Sequence, residues 1–251
     1  MQHGDTFAAV GATWRVAPTP KRGTPPADSG GTDESVGFLR ITLEGYFVTG
    51  TDTNVGKTLL SSLLVAALDA VYWKPIQTGA SEGTDRETVI RLAGIPQSQT
   101  REEAYLFDPP VSPHLAAQWA AVEIEMEKIR PPSLPEGTPL IAEGAGGVLV
   151  PINGREFMTD LMRHLRLPVL VAARSTLGTI NHTLLTLETL RRAGLAVAGV
   201  VLIGPENPDN RATIERYGCR PVVGTIPPLS EIHRERLIDV FRSRFDPRVF
   251  S

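Results

Sequence analysis

Cysteine is all but absent: Cys219 is the only one in 251 residues. An intramolecular disulfide and a cysteine-rich metal cluster are therefore excluded, and a reducing, cytoplasmic setting is the default expectation. No apolar run approaches the ~18 residues that would suggest a membrane span. The N-terminus has no basic stretch leading into an apolar core, so a signal peptide is not expected, and the sequon Asn181-His182-Thr183 carries no glycosylation reading. Neither sign of charge dominates. Lys+Arg number 25 against 28 Asp+Glu, a formal net charge of −3. That balance offers no general attraction to nucleic acid or to an anionic membrane, although it leaves room for a local basic pocket. Histidine is scarce, and His164, His182 and His233 fall in predicted helices at no metal-ligand spacing. What remains, 41% hydrophobic and 21% charged residues, is ordinary for a globular chain long enough to bury a sizeable core.

Residues 1–37 differ from the rest. They hold four prolines and six glycines among many Ser and Thr, with no apolar period. They are expected to be a disordered leader, of the kind a start codon assigned too far upstream would produce. From residue 38 short apolar runs alternate with helical patterns. Strands are expected at 46–49, 70–74, 139–142, 169–173, 197–203 and 222–223. Helices are expected at 57–68, 85–92, 115–129, 157–165, 181–192, 212–217 and 230–245. Such alternation predicts one α/β domain over residues 38–251, a mostly parallel sheet covered by helices on both faces. Ligands of such sheets bind at the carboxyl ends of the strands, so the chemistry should follow Thr49, Lys74, Ala142, Ala173 and Ile203.

The motifs fall there. Gly50-Thr51-Asp52-Thr53-Asn54-Val55-Gly56-Lys57-Thr58 stands between a predicted strand and a predicted helix, as a phosphate loop of the P-loop NTPase type must. Gly50 and Gly56 let the backbone bend around an anion, and the helix N-terminus adds partial positive charge. Lys57 supplies a full charge, and the Thr58 hydroxyl suits Mg²⁺. The spacing departs from the common form, because Gly50 sits one residue further from Gly56 than usual. After the second strand comes Lys74-Pro75, then Thr78-Gly79. A lysine at an apolar strand end reads either as a snorkelling surface residue or as a second cation for a phosphoryl group. Its removal is expected to lower turnover far more than stability. Asp85, heading a predicted helix, reads as a helix-start carboxylate or a metal ligand. Glu143-Gly144-Ala145-Gly146-Gly147 after the third strand reads as a tight turn or as a Mg²⁺ ligand followed by anion-approaching amides. Three oxygen ligands and two lysines then form a phosphoryl-transfer constellation without a protein nucleophile.

Together with Ser112-Pro113-His114 and Gly178-Thr179-Ile180-Asn181-His182, these motifs resemble the dethiobiotin synthetase family over about residues 45–230. The resemblance implies an ATP-dependent cyclo-ligase of biotin biosynthesis. One amine of 7,8-diaminopelargonate takes up CO₂ as a carbamate. The carbamate oxygen attacks the γ-phosphate of ATP, and the second amine closes the ureido ring on the mixed anhydride, releasing phosphate. It assigns catalytic roles to Lys57 and Lys74, and Mg²⁺ to Thr58, Asp85 and Glu143. The nucleotide falls to Asn54, Val55, Gly56, Lys57, Thr58, Leu59, Asp85, Glu143, Gly144, Ala145, Gly146, Ile203, Gly204, Ile226, Pro227 and Pro228. The diamine falls to Thr53, Thr78, Thr179, Ile180 and Asn181, the last three reaching the tail across a homodimer interface. Three features depart from the family pattern, one being residues 1–37, which have no counterpart there. Ile203 stands where some relatives carry a base-reading asparagine, and the segment from Thr58 to Lys74 is short. Two other readings stay open. One is a nucleotide-dependent switch of the ParA or MinD kind, which Asp52 opposes because those proteins carry a lysine there. The other is a cobyrinate-synthase-like ligase, for which the chain lacks a glutaminase domain.

Overall fold

The computed structural model describes residues 44–250, so the expectation for residues 1–37 lies outside the described residues. Among the described residues nine strands and seven α-helices follow one another: β1 (Gly45–Gly50), α1 (Lys57–Leu68), β2 (Val71–Trp73), β3 (Ile76–Gln77), α2 (Asp85–Ala93), β4 (Thr100–Arg101), β5 (Tyr105–Leu106), α3 (Pro113–Trp119), β6 (Leu140–Gly147), α4 (Met158–Leu165), β7 (Val169–Arg174), α5 (Thr179–Arg192), β8 (Val197–Ile203), α6 (Pro208–Gly218), β9 (Val222–Ile226) and α7 (Arg234–Arg244). Seven strands form one sheet in the order β4-β2-β6-β1-β7-β8-β9, with every neighbouring pair parallel. β3 and β5 pair separately, also in parallel.

The strands are buried on both faces, and their side chains sort by alternation. Phe47, Trp73, Ala142, Val171 and Leu202 face one layer, packing with Ala116, Met158, Leu161, Leu187 and Ile214 of α3–α6. Val48, Tyr72, Ile141, Leu170 and Val201 face the other, against Leu60, Leu64, Val89, Leu237 and Val240 of α1, α2 and α7. Glu143, two residues beyond Ile141, therefore points towards α1 and α2. This parity places a carboxylate, and not an alkyl group, within β6 beside Val48 of the central strand β1. The chain passes from β1 over the place of β6 to β2 and β4, returns to β6, and then crosses to β7 on the other side of β1, so the order reverses between β6 and β1. The phosphate-loop sequence emerges there, the usual ligand crevice of such sheets.

Several sequence expectations change. The helix expected over 115–129 stops at Trp119. Ala121 turns left-handed at φ 53°, the Val122 amide bonds back to the Ala117 carbonyl at 2.9 Å, and a single 3₁₀ turn follows at Met126–Lys128. The apolar period of that segment is real, since Ile124, Met126 and Ile129 are buried, but an irregular chain delivers it. β6 runs on through Gly147, so Glu143 to Gly147 belong to the strand and do not follow it as a turn. α7 begins at Arg234, four residues later than expected, and His233 precedes it as its N-cap residue. The short segment between Thr58 and Lys74 is accommodated by a connection of Asp69 and Ala70 alone, with Asp69 left-handed at φ 52°.

Asp85 is not the cap of α2. Thr84 is, in a reciprocal capping box: the Glu87 amide donates to the Thr84 hydroxyl at 3.1 Å, and the Thr84 amide donates to the Glu87 carboxylate at 2.9 Å. Relieved of capping, the Asp85 carboxylate is free to turn inward. Thr84→Ala is expected to cost about 1 kcal/mol in urea denaturation, the usual value of such a cap. An unchanged midpoint would show that tertiary contacts alone set the start of α2.

Candidate functional site

The phosphate loop curls over the end of β1. Gly56 adopts φ +100°, and a Cβ built there would meet Ile203 Cδ1 at 2.8 Å. A Cβ on Gly50 would strike the Asp52 carbonyl and the Val55 side chain, each at 2.7 Å. Both positions thus need glycine for close approach. Lys57 is buried and donates to the Asp52 carbonyl at 3.0 Å, which ties the ammonium back across the loop. Arg174, at the end of β7, donates to the carbonyl of Thr53 at 3.2 Å and bears on that of Asn54 at 3.5 Å. The loop is held from two sides, and the first amides of α1 have no partner within the helix.

Lys74 does not snorkel. Only 4% exposed, its ammonium lies 2.6 Å from Asp85 Oδ2 and 3.2 Å from Glu143 Oε1. Thr58 Oγ1 lies 2.6 Å from Asp85 Oδ1 and 3.1 Å from Glu143 Oε1. Burial opposes the Lys74 charge, but the Glu143 and Asp85 carboxylates outweigh it and its pKa is raised. Burial likewise opposes the Asp85 charge, Lys74 and the Thr58 hydroxyl prevail, and that pKa is lowered. For Lys57 burial wins, joined by the like charge of Lys74 against the pull of Glu143, and the pKa falls. Glu143 Oε2 accepts from Ser61 at 2.7 Å and from Tyr72 at 3.1 Å. Burial first, and then the Glu143 charge, push the Tyr72 phenol well above its ordinary pKa, so it stays a donor.

Thr58 donates to Asp85 Oδ1 and Lys74 to Glu143 Oε1, which leaves further lone pairs on both carboxylate oxygens and on the hydroxyl. Two carboxylates and a hydroxyl are hard oxygen donors. That donor set fits a Mg²⁺ ion completed by water and phosphate oxygens. Among the described residues there is no cluster of three or more His, Cys, Asp or Glu that would suit a softer metal.

These residues line a cavity of about 830 Å³, within the usual size of ligand sites. The structure brings Thr53, Asn54, Gly56, Lys57, Thr58, Lys74, Thr78, Asp85, Glu143, Ala145 and Gly146 to its wall. Others fall elsewhere. Val55 is buried behind the loop, and Leu59 packs on the α1 core. Gly144 faces the opposite layer, where a Cβ would meet Phe47 at 2.9 Å. Ile203 rests on Gly56, Ile226 is wholly buried, and the Ile226 carbonyl is engaged by the Gly204 amide at 2.9 Å. Pro227 and Pro228 lie outside the cavity wall. Gly204 lines a second cavity of about 630 Å³ beside β9, which contains neither lysine. Thr179, Ile180 and Asn181 open α5 away from the cavity. Thr179 is buried against Thr183, and Asn181 is exposed and does not cap the helix, since Gly178 holds that place. Gln77, Ser61 and Tyr72 had not been singled out. Gln77 Oε1 accepts the Asp85 amide at 3.1 Å, and its spacing from Asp85 gave no signal. Ser61 is three residues after Thr58 on one helix face, and Tyr72 is two before Lys74 on one strand face, so spacing could have found both.

A family model described as an AAA domain matches residues 44–236. The chain is 50% identical over 190 residues to the ATP-dependent dethiobiotin synthetase BioD of Paramagnetospirillum magneticum, covering 76% of this chain and 91% of the relative. It is 43% identical over 209 residues to that of Novosphingobium aromaticivorans, covering 83% of this chain and all of the relative. The chain belongs to the ATP-dependent dethiobiotin synthetase family. The readings as a switch protein and as a cobyrinate-type ligase are not favoured.

The buried position of Lys74 revises one expectation about this family member. Lys74→Ala leaves two carboxylates without their cation, a loss of about 3 kcal/mol at the low end of the range for broken buried pairs, because Ser61 and Tyr72 still donate to Glu143 and Thr58 to Asp85. Stability therefore falls along with turnover. The Asp85 share of this stabilisation is present above its ordinary pKa of 3.8 and is lost as pH falls through the lower folded value. Denaturation midpoints of the two proteins should differ at neutral pH and draw together in acid. A constant gap would exclude Asp85 as the partner.

Proposed function

We propose that this chain catalyses ATP-dependent ring closure of 7,8-diaminopelargonate with CO₂ to dethiobiotin, releasing ADP and phosphate. Membership of the dethiobiotin synthetase family supports the reaction. The observation that carries the residue assignment is the Lys74 ammonium, held between Asp85 and Glu143 on the wall of the cavity that the phosphate loop also lines.

Lys57 and the unpartnered amides at the start of α1 bind the β- and γ-phosphates of ATP. Thr58, Asp85 and Glu143 hold Mg²⁺, which when bound neutralises phosphate charge and orients the terminal phosphoryl group. Lys74 faces the carbamate and the γ-phosphate together. It stabilises the charge that moves from the attacking carbamate oxygen to the leaving ADP and to the transferred phosphoryl group. Thr53 and Thr78, on the cavity wall with the Ala145–Gly146 backbone, contact the carbamate and the amines. No side chain becomes covalently bound; the protein positions two reactants and excludes water.

The tail of the diamine is assigned to Thr179, Ile180 and Asn181 of a second copy. They do not line the cavity of their own chain, which agrees with this, as does Leu177 beside them, an apolar side chain wholly in solvent. The reading is thus of a cytoplasmic homodimer whose catalytic unit is residues 38–251.

With Mg-ATP, bicarbonate and 7,8-diaminopelargonate, phosphate release should require the diamine and yield a product of dethiobiotin mass. Release indifferent to the diamine would indicate a bare ATPase and sink the assignment. Removal of residues 1–37 should leave turnover near the full-length value, and a large loss would place function in that segment.

A further inference from the structure

Glu143 is the most deeply buried charge of the site, 1% exposed, and its carboxylate meets four side chains. An ionised carboxylate offers about four lone-pair positions. Oε1 faces Thr58 and Lys74, where the cation is expected. Oε2 faces away from it and accepts from the Ser61 hydroxyl at 2.7 Å and the Tyr72 phenol at 3.1 Å. Both donors are fully buried, so water cannot replace them. Among the described residues, neither hydroxyl donates to any other acceptor. They come from different elements, Ser61 from the second turn of α1 and Tyr72 from β2, and they meet the carboxylate at the oxygen that Thr58 and Lys74 leave free.

We infer that Ser61 and Tyr72 are positioning residues that hold the Glu143 carboxylate with Oε1 presented to the metal and the Lys74 ammonium. Without them the carboxylate is free to swing towards Lys74 and close the ion pair at the expense of the cation. Lys74 bridges Asp85 Oδ2 and Glu143 Oε1, so the ammonium and the metal compete for one oxygen, Glu143 Oε1. The pair of hydroxyls sets that competition by fixing the plane and reach of one competitor's ligand. Partners of this kind, one shell behind a metal ligand, typically change metal affinity or activity by about 10- to 100-fold.

The inference rests on Glu143 being a metal ligand, and its test separates the two claims. The affinity of AMP-PNP is measured by calorimetry with Mg²⁺ and with EDTA, for the intact protein, Tyr72→Phe, Ser61→Ala, the double variant and Glu143→Gln. The ratio of the two affinities reports the metal without any turnover. Tyr72→Phe should lower that ratio by about threefold and the double variant by about tenfold or more, with binding in EDTA unchanged. A purely structural role would alter both conditions alike. A double variant whose ratio stays within about twofold of the intact protein, while Glu143→Gln loses it, overturns the positioning role and leaves the metal assignment standing. A ratio retained in Glu143→Gln overturns both. Should the double variant fail to fold, Tyr72→Phe, which removes a single oxygen, decides by the same criterion.

Discussion

An ammonium group buried at the end of a sheet is tolerable only if carboxylates meet it there. Lys74 is such a group, and much of the local architecture follows from satisfying it. β6 must extend far enough to deliver Glu143. α2 must begin with a cap other than Asp85, so that this carboxylate can turn inward. β2 must end beside both. Lys57 adds a second cation and Thr58 a shared hydroxyl, so the buried charges sum to about zero before any ligand arrives. A triphosphate and a divalent cation then bring a net negative charge, which the amides at the start of α1 are placed to meet.

The proposed reaction proceeds by positioning and charge stabilisation and calls for no protein nucleophile. The parts of the site are a cradle of amides, two ammonium groups and an oxygen trio, all on rigid elements that end at one edge. The loop is braced by the Lys57 bond to the Asp52 carbonyl and by Arg174 on the Thr53 carbonyl. Catalysis by placement requires such bracing, because a small displacement of either reactant forfeits the effect. Ile203, resting on Gly56, supports the loop from behind; its side chain is a packing element.

The legibility of these features followed the range of the forces involved. Strand–helix alternation and the phosphate loop were plain, because they depend on local period and on glycines at a turn. Lys74, Asp85 and Glu143 could be named as candidates from their place after strands, but their mutual contact is a product of sheet order, which composition does not encode. The segment after Trp119 misled because its buried positions, Ile124, Met126 and Ile129, keep a helical period while Ala121 reverses the chain. β3, β4 and β5 escaped notice, being two residues each and held by tertiary pairing. Ser61 and Tyr72 were visible in principle, at helix and strand spacing from Thr58 and Lys74. They stayed unmarked because a hydroxyl inside an apolar run gives no sign of its acceptor.

The central claim is that one pocket gathers two ammonium groups and the three oxygens around the terminal phosphorus of a bound triphosphate. A crystal structure of the chain with Mg²⁺ and AMP-PNP tests it most directly. The account predicts Lys57 and Lys74 against the γ-phosphate oxygens, with Thr58, Asp85 and Glu143 around the metal. Lys74 and Glu143 turned away from that phosphate in the liganded crystal would contradict it.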